Sequence, residues 1–277
     1  MFKKHSFLVY LLYKDGKMRF LFYFFILLVT PSCMGASKYS QTINNPPYKN
    51  FVKIFKELKL TKCKKSNKEK LDCVAESYYS TGSGLVVEVG LGDEVVILSA
   101  GHVCTSSFEL KKEDQNYIYY WSESIKILDY KKKFHEAAVV ISEHASRNSG
   151  TSDLCSLIVP DLKKSYFPDR VRMSKVQPKI GEKVYYIGAP LGIYHPPTAL
   201  ITSGIFSGEI DDISSLTSLM ASQGASGSVI LSIDGKIYGV LFAVHSEYKG
   251  ATIITSFKKT KNFLIKTKKY IEILNLQ

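Results

Sequence analysis

The chain has 277 residues, 45% of them hydrophobic, and a formal net charge of +12. That is enough apolar chain to bury a core in one or two domains. The charge does not imply a nucleic-acid partner: its densest clusters, Lys62–Lys70, Lys131–Lys133 and Lys258–Lys269, include no arginine-rich reading helix, zinc finger or aromatic–basic RNA-binding motif, and read as solvated lysine-rich faces.

The first predicted element is a secretory leader over residues 1–36. From Met18 the chain reads MRFLFYFFILLVTPSCMGASKYS, with one arginine, an apolar run from Phe20 to Val29, then small residues. This is the layout of a signal peptide. The run is too short to span a bilayer, and Lys14, Asp15, Lys17 and Arg19 interrupt any longer segment. Residues 1–17 read as an upstream extension, with Met18 as the start. Cys33, within TPSC, loosely resembles a bacterial lipoprotein cleavage site, although Thr30 stands where leucine is usual. Cleavage near Gly35 or Ala36 is the rival. Either route exports the chain to the periplasm, cell envelope or exterior, and a lipidated Cys33 would attach it to a membrane. Export makes the cysteines candidates for disulfides. With Cys33 lipidated or removed, four of the five remain and three pairings are open. Cys63 and Cys73 flank a lysine-rich loop that they are placed to close, which leaves Cys104 and Cys155.

Residues 37–78 read as a linker followed by a short amphipathic helix. In NFVKIFKELKL (Asn50–Leu60), Phe51, Ile54, Phe55 and Leu58 fall on one helical face with lysines opposite. At about three turns the helix suits docking on the main domain better than a membrane. Residues 79–277 change pattern, to short runs rich in Val, Ile, Tyr and Leu divided by Gly, Asp, Asn and Pro, which indicates an all-β sandwich or barrel pair. Asp234-Gly235 marks a hairpin. Phe263, Leu264, Tyr270 and Ile271 predict a terminal helix packed on the barrels.

Four serine–glycine runs stand out: Ser80–Gly84, Arg147–Asp153, Thr202–Gly208 and QGASGSVI (Gln223–Ile230). A lone Gly-x-Ser-Gly is a weak signal. A serine nucleophile needs a histidine base, itself oriented by a carboxylate. Of the six histidines, His5 precedes the leader, while His144, His195 and His245 sit in polar or proline-rich segments. His135 opens HEAAVV, which lacks the second histidine of a zinc-binding HExxH helix, so neither metal nor cofactor is implied. His102 differs, ending the apolar run VVILSAGHV. Asp153 opens DLCSLIVP, where an acid serves either as a strand-start cap or as the buried partner of a histidine. The chain order is then His102, Asp153, Ser226.

This order resembles the trypsin-like (chymotrypsin-fold) serine proteases, and most closely the HtrA/DegP-type branch. The resemblance runs from Ser80 to Phe257 in collinear blocks: STGSGLVV, VVILSAGHV, DLCSLIV, GEKVYYIGAPLGI with ALITSGIFSG, and QGASGSVILSIDGKIYGVLFAV. It implies an all-β fold of two six-stranded antiparallel β-barrels, here with the C-terminal helix and the short N-terminal one, and a serine endopeptidase acting through an acyl-enzyme on protein or peptide substrates. By resemblance Ser226 is the nucleophile, His102 the base and Asp153 its orienter, with the N–H groups of Gly224 and Ser226 as the oxyanion hole. The substrate pocket falls at Met220, Gln223, Phe242, Ala243 and Val244. No acid occurs there to receive Lys or Arg, so a small or medium apolar side chain is the expected preference.

The sequence departs from the family at Ser228, where a second glycine often follows the serine, and in lacking a cleaved-zymogen amino terminus. Cys104 lies two residues after His102 and Cys155 two after Asp153. Side chains two apart on a strand share a face, so triad geometry would bring these cysteines together, with two buried free thiols as the alternative. The roughly twenty residues after Phe257 leave no room for a PDZ module. Two rival readings are an inactive relative acting as an envelope binding or adhesion protein, and a cationic surface-binding protein. Oligomeric state and natural substrate stay open.

Overall fold

Runs of β-branched and aromatic residues, cut by short turns, form thirteen strands among the described residues of this computed structural model. The structure describes residues 43 and 45–274, apart from 65–71, 91, 107–116, 145–149, 246 and 249. The predicted leader, its Met18 start and Cys33 lie outside the described residues.

Six strands make the first barrel: β1 (Phe51–Lys64), β2 (Asp72–Val87), β3 (Glu94–Ser99), β4 (Tyr117–Leu128), β5 (Phe134–Glu143) and β6 (Leu154–Lys163). They close in the order β1-β2-β3-β6-β5-β4. A single helical turn, α1 (Gly101–Cys104), follows β3. The second barrel uses β7 (Lys183–Gly188), β9 (Thr198–Glu209), β10 (Ser214–Thr217), β11 (Val229–Ser232), β12 (Ile237–Val244) and β13 (Thr252–Thr255). Pairing of β9 with β10 closes it, and the two-residue β8 (Tyr194–His195) hangs on β9 as a hairpin. Closure leaves these barrels no long open edge. Asp234-Gly235 forms the expected turn between β11 and β12, with Gly235 at φ 72°.

The amphipathic helix expected over Asn50–Leu60 is corrected: those residues from Phe51 belong to β1, paired on one side with β2 and on the other with β4. Val52, Ile54, Lys56 and Leu58 are the buried, alternating set, as a strand requires. Phe55 points the other way, packs on Phe134 at 5.4 Å between ring centroids, and lies under the Lys53 ammonium at 4.9 Å. The folded barrel thus begins well before residue 79.

The terminal helix forms as α2 (Phe257–Leu274). Its buried face is Thr260, Phe263, Leu264, Thr267 and Ile271, whereas Tyr270, expected inside, faces solvent. Thr267 Oγ1 donates to Ser156 Oγ on β6 at 3.1 Å, which satisfies two buried hydroxyls at the helix–barrel contact. His135, on β5, is structural. Nδ1 lies 2.8 Å from Asp161 Oδ2 and Nε2 3.1 Å from Asp129 Oδ2, and the Tyr166 hydroxyl also donates to Asp129. Burial of Cys63, Cys104 and Cys155 accompanies two disulfides, Cys63–Cys73 across the β1–β2 hairpin and Cys104–Cys155 between α1 and β6.

Candidate active site

The loop leaving β3 must turn sharply to bring its histidine to the barrel rim, and α1 does this in one turn. His102 sits in that turn rather than at a strand end. Asp153 immediately precedes β6, antiparallel to β3, so the two rims meet. Asp153 holds His102 twice: Oδ1 accepts the His102 backbone N–H at 2.8 Å and Oδ2 faces Nδ1 at 2.5 Å. The Asp153 side chain is 7% exposed and the His102 ring 43%. A carboxylate shielded from water thus fixes the ring orientation through Nδ1, while the ring as a whole stays partly exposed.

Gly101 makes this approach physically available. A Cβ there would stand 2.6 Å from Asp153 Oδ1 and 2.0 Å from the Glu143 carbonyl oxygen. We predict that Gly101→Ala separates the pair, and an error of about 1 Å costs on the order of 10²-fold in kcat/KM. Peptide hydrolysis is the measurement, and activity within threefold of wild type would contradict it.

Ser226 lies in the loop between β10 and β11, within a turn bent by two glycines in the left-handed region, Gly224 at φ 92° and Gly227 at φ 87°. Each is also crowded: a Cβ on Gly227 would lie 2.1 Å from Ser83 O and one on Gly224 would lie 2.6 Å from Ala189 O. The N–H groups of Ala225, Gly227 and Ser228 are taken by the carbonyls of Ser222, Leu241 and Ala225. Those of Gly224 and Ser226 find no acceptor among the described residues. Two unspent donors two residues apart on one turn can together stabilise a developing oxyanion.

Ser83, a residue for which the sequence reading had no role, clasps this turn to both barrels. Its N–H donates to Ser226 O at 2.8 Å and its hydroxyl to Gly224 O at 2.8 Å, while its own carbonyl accepts from Ser99 Oγ at 2.8 Å. Gly82, its neighbour on β2, is pressed between Val103 and the Ser226 carbonyl. The Ser226 turn and the His102 turn therefore share one support, the STGSG segment of β2. No hydrogen bond joins Ser226 Oγ to His102 among the described residues; such contacts commonly tighten only when substrate binds.

Ser228 is fully buried and its hydroxyl has no partner among the described residues. It fits because Gly188 lies opposite, where an added Cβ would come within 2.4 Å of Ser228 Oγ. Of the residues assigned to the substrate pocket, Met220 is 67% exposed, and its carbonyl accepts from the buried Tyr186 hydroxyl. Gln223 is exposed, with its carbonyl taken by the Leu191 N–H. Phe242, Ala243 and Val244 end β12, Phe242 packing on the core and Val244 partly open to solvent. A cavity of about 350 Å³ is lined in part by His102, and its lining includes none of these five.

Two antiparallel barrels, a clasped His–Asp pair on the first and a glycine-bent serine turn on the second define a chymotrypsin-type protease fold. The chain belongs to the trypsin-like peptidase domain family, whose model matches residues 82–240. It is similar to the crystal structure of the Rv3671c protease of M. tuberculosis in its active form, with 18% identity, TM-score 0.52, and coverage of 79% of this chain and 83% of that one. The inactive form gives 17% identity, TM-score 0.51, and coverage of 80% and 90%. The serine endoprotease from Yersinia pestis gives 17%, 0.52, 83% and 67% in the same terms. At these identities the likeness is one of fold. No curated protein matches the chain. The two disulfides mark an extracytoplasmic protein. No helix among the described residues is long and apolar enough to cross a membrane.

Proposed function

We propose that this protein is an exported serine endopeptidase acting through Ser226, His102 and Asp153. The observation that carries the reading is the double hydrogen bond of Asp153 to His102, formed where the Ser226 turn shares its support. In this reading His102 Nε2 takes the Ser226 proton as Oγ attacks the peptide carbonyl. The N–H groups of Gly224 and Ser226 hold the resulting oxyanion, and the proton passes to the leaving amine as the acyl-enzyme forms. Water then attacks the acyl-enzyme by the same route. Met220, Gln223 and Phe242–Val244 receive a small or medium apolar side chain, since no acid stands among them. Residues 1–36 direct export, and Cys33 is the attachment point if the leader is of the lipoprotein kind.

The test is labelling by a fluorophosphonate probe. Wild type is expected to label covalently, Ser226→Ala not at all. Folded wild-type protein that stays unlabelled overturns the enzyme reading. It would favour an inactive, binding homologue, for which the missing Ser226–His102 hydrogen bond is the one structural argument.

A further inference from the structure

We propose that Lys56 makes the cavity beside His102 a subsite for an acidic substrate residue on the leaving-group side of the scissile bond. This inference rests on the peptidase reading and concerns the same site.

Lysine is almost never fully buried without a partner. Lys56 is 6% exposed, on the inward-facing set of β1. Its ammonium has three donors, and its one hydrogen-bond partner among the described residues is the His102 carbonyl, at 3.1 Å. The carboxylate that acts on it is Glu123, which is exposed and already accepts the Ser106 N–H at 2.8 Å. Burial accordingly pulls the Lys56 pKa below the usual lysine value, with Glu123 opposing. Two unspent, charged donors thus remain on a side chain that lines a cavity.

That cavity, about 350 Å³, lies among Lys56, Tyr78, Tyr79, Ser80, His102 and His144, and its volume is near the lower end for ligand pockets, roughly 300 Å³. Several other polar groups around it are already engaged. Tyr78 and Tyr79 donate to Glu76 and Glu57, and His144 Nε2 meets Thr105 Oγ1 at 2.7 Å. Lys56 is left as the cation able to take a ligand anion. A carboxylate entering here gains two charge-assisted hydrogen bonds and relieves an under-compensated buried charge.

The position fixes which part of a substrate would enter. Every residue lining the cavity belongs to the first barrel, whereas the proposed acyl pocket belongs to the second. The Ser226 turn meets β2 at Gly82 and Ser83, and the cavity lies further along β2, at Ser80, Tyr79 and Tyr78. An extended peptide with its acyl side chain in the second barrel therefore carries the residues after the scissile bond over Lys56.

Matched fluorogenic peptides with Glu or Gln at the first or second position after the scissile bond test this. At one of the two positions wild type should favour Glu by about tenfold or more in kcat/KM, the size expected of a hydrogen bond to a charged group, and in Lys56→Met that ratio should fall to near one. Equal rates for Glu and Gln at both positions in wild type overturn the subsite, as does a preference that survives in Lys56→Met. Binding of the same peptide pairs to Ser226→Ala, read by fluorescence anisotropy, gives the answer without turnover: tighter binding of the Glu peptide supports the subsite, equal binding refutes it. Equal Glu and Gln rates alongside Ser226 labelling remove the subsite and keep the peptidase. Glu-selective binding by a protein that neither labels nor cleaves does the reverse.

Discussion

Asp153→Asn is expected to lower kcat/KM for a cleavable peptide by about four orders of magnitude, with both barrels still folded by circular dichroism. The side chains are nearly the same shape, so the loss comes from what the second oxygen does. In the native protein both Asp153 oxygens accept, one from the His102 backbone and one from Nδ1. An asparagine amide offers one acceptor and one donor group. If the oxygen stays on the backbone N–H, the NH₂ faces Nδ1 and forces its proton to Nε2, where the ring can no longer accept from Ser226. The same substitution should slow fluorophosphonate labelling by a similar factor. A variant within tenfold of wild type would mean that the ring is oriented by something other than Asp153.

The second large effect falls on stability. Cys104 and Cys155 are both fully buried, and their disulfide closes a segment of 51 residues. Chain-entropy arguments give such a crosslink on the order of 4 kcal/mol, so the double Cys104→Ala, Cys155→Ala protein should melt roughly 10 °C lower. Calorimetry of both forms, with Cys63–Cys73 intact, measures this. Activity should fall as well, because one end of the bond is two residues from His102 and the other two from Asp153. Cys63–Cys73 spans only 10 residues at the distal end of the β1–β2 hairpin, so its loss should cost less. A double variant that melts within 2 °C of wild type would show that packing alone sets this junction.

The residues of the candidate site could be picked out in the sequence because each lies where a pattern breaks. His102 follows a run of apolar residues, Asp153 heads another, and the glycines around Ser226 mark a turn that only glycine can make. What could not be read was the support. Ser83 looked like one more small residue in a serine–glycine run, and its hydrogen bonds to Ser99, Ala189, Gly224 and Ser226 reach partners from 16 to 143 positions away. Gly101 matters only because the Glu143 carbonyl and Asp153 Oδ1 pass beside it. The error over β1 has a single cause. A strand shows itself by alternation, and here one inward position is a lysine and one outward position, Phe55, is aromatic. Lys56 broke the period-2 signal and left a spacing that fits a helix equally well. The residue that hid the strand is the one now assigned to the subsite.

Closure of the first barrel by β1 against β4 also bears on folding. The seam joins residues as distant as Lys53 and Leu128, and loop entropy resists such a junction until the intervening strands are arranged. Topologies of this kind fold over milliseconds to seconds. Cys104 on α1 and Cys155 on β6 are joined away from that seam, so an oxidising compartment can form their bond before the seam closes. Oxidation would then shorten the search for closure as well as hold the finished barrel.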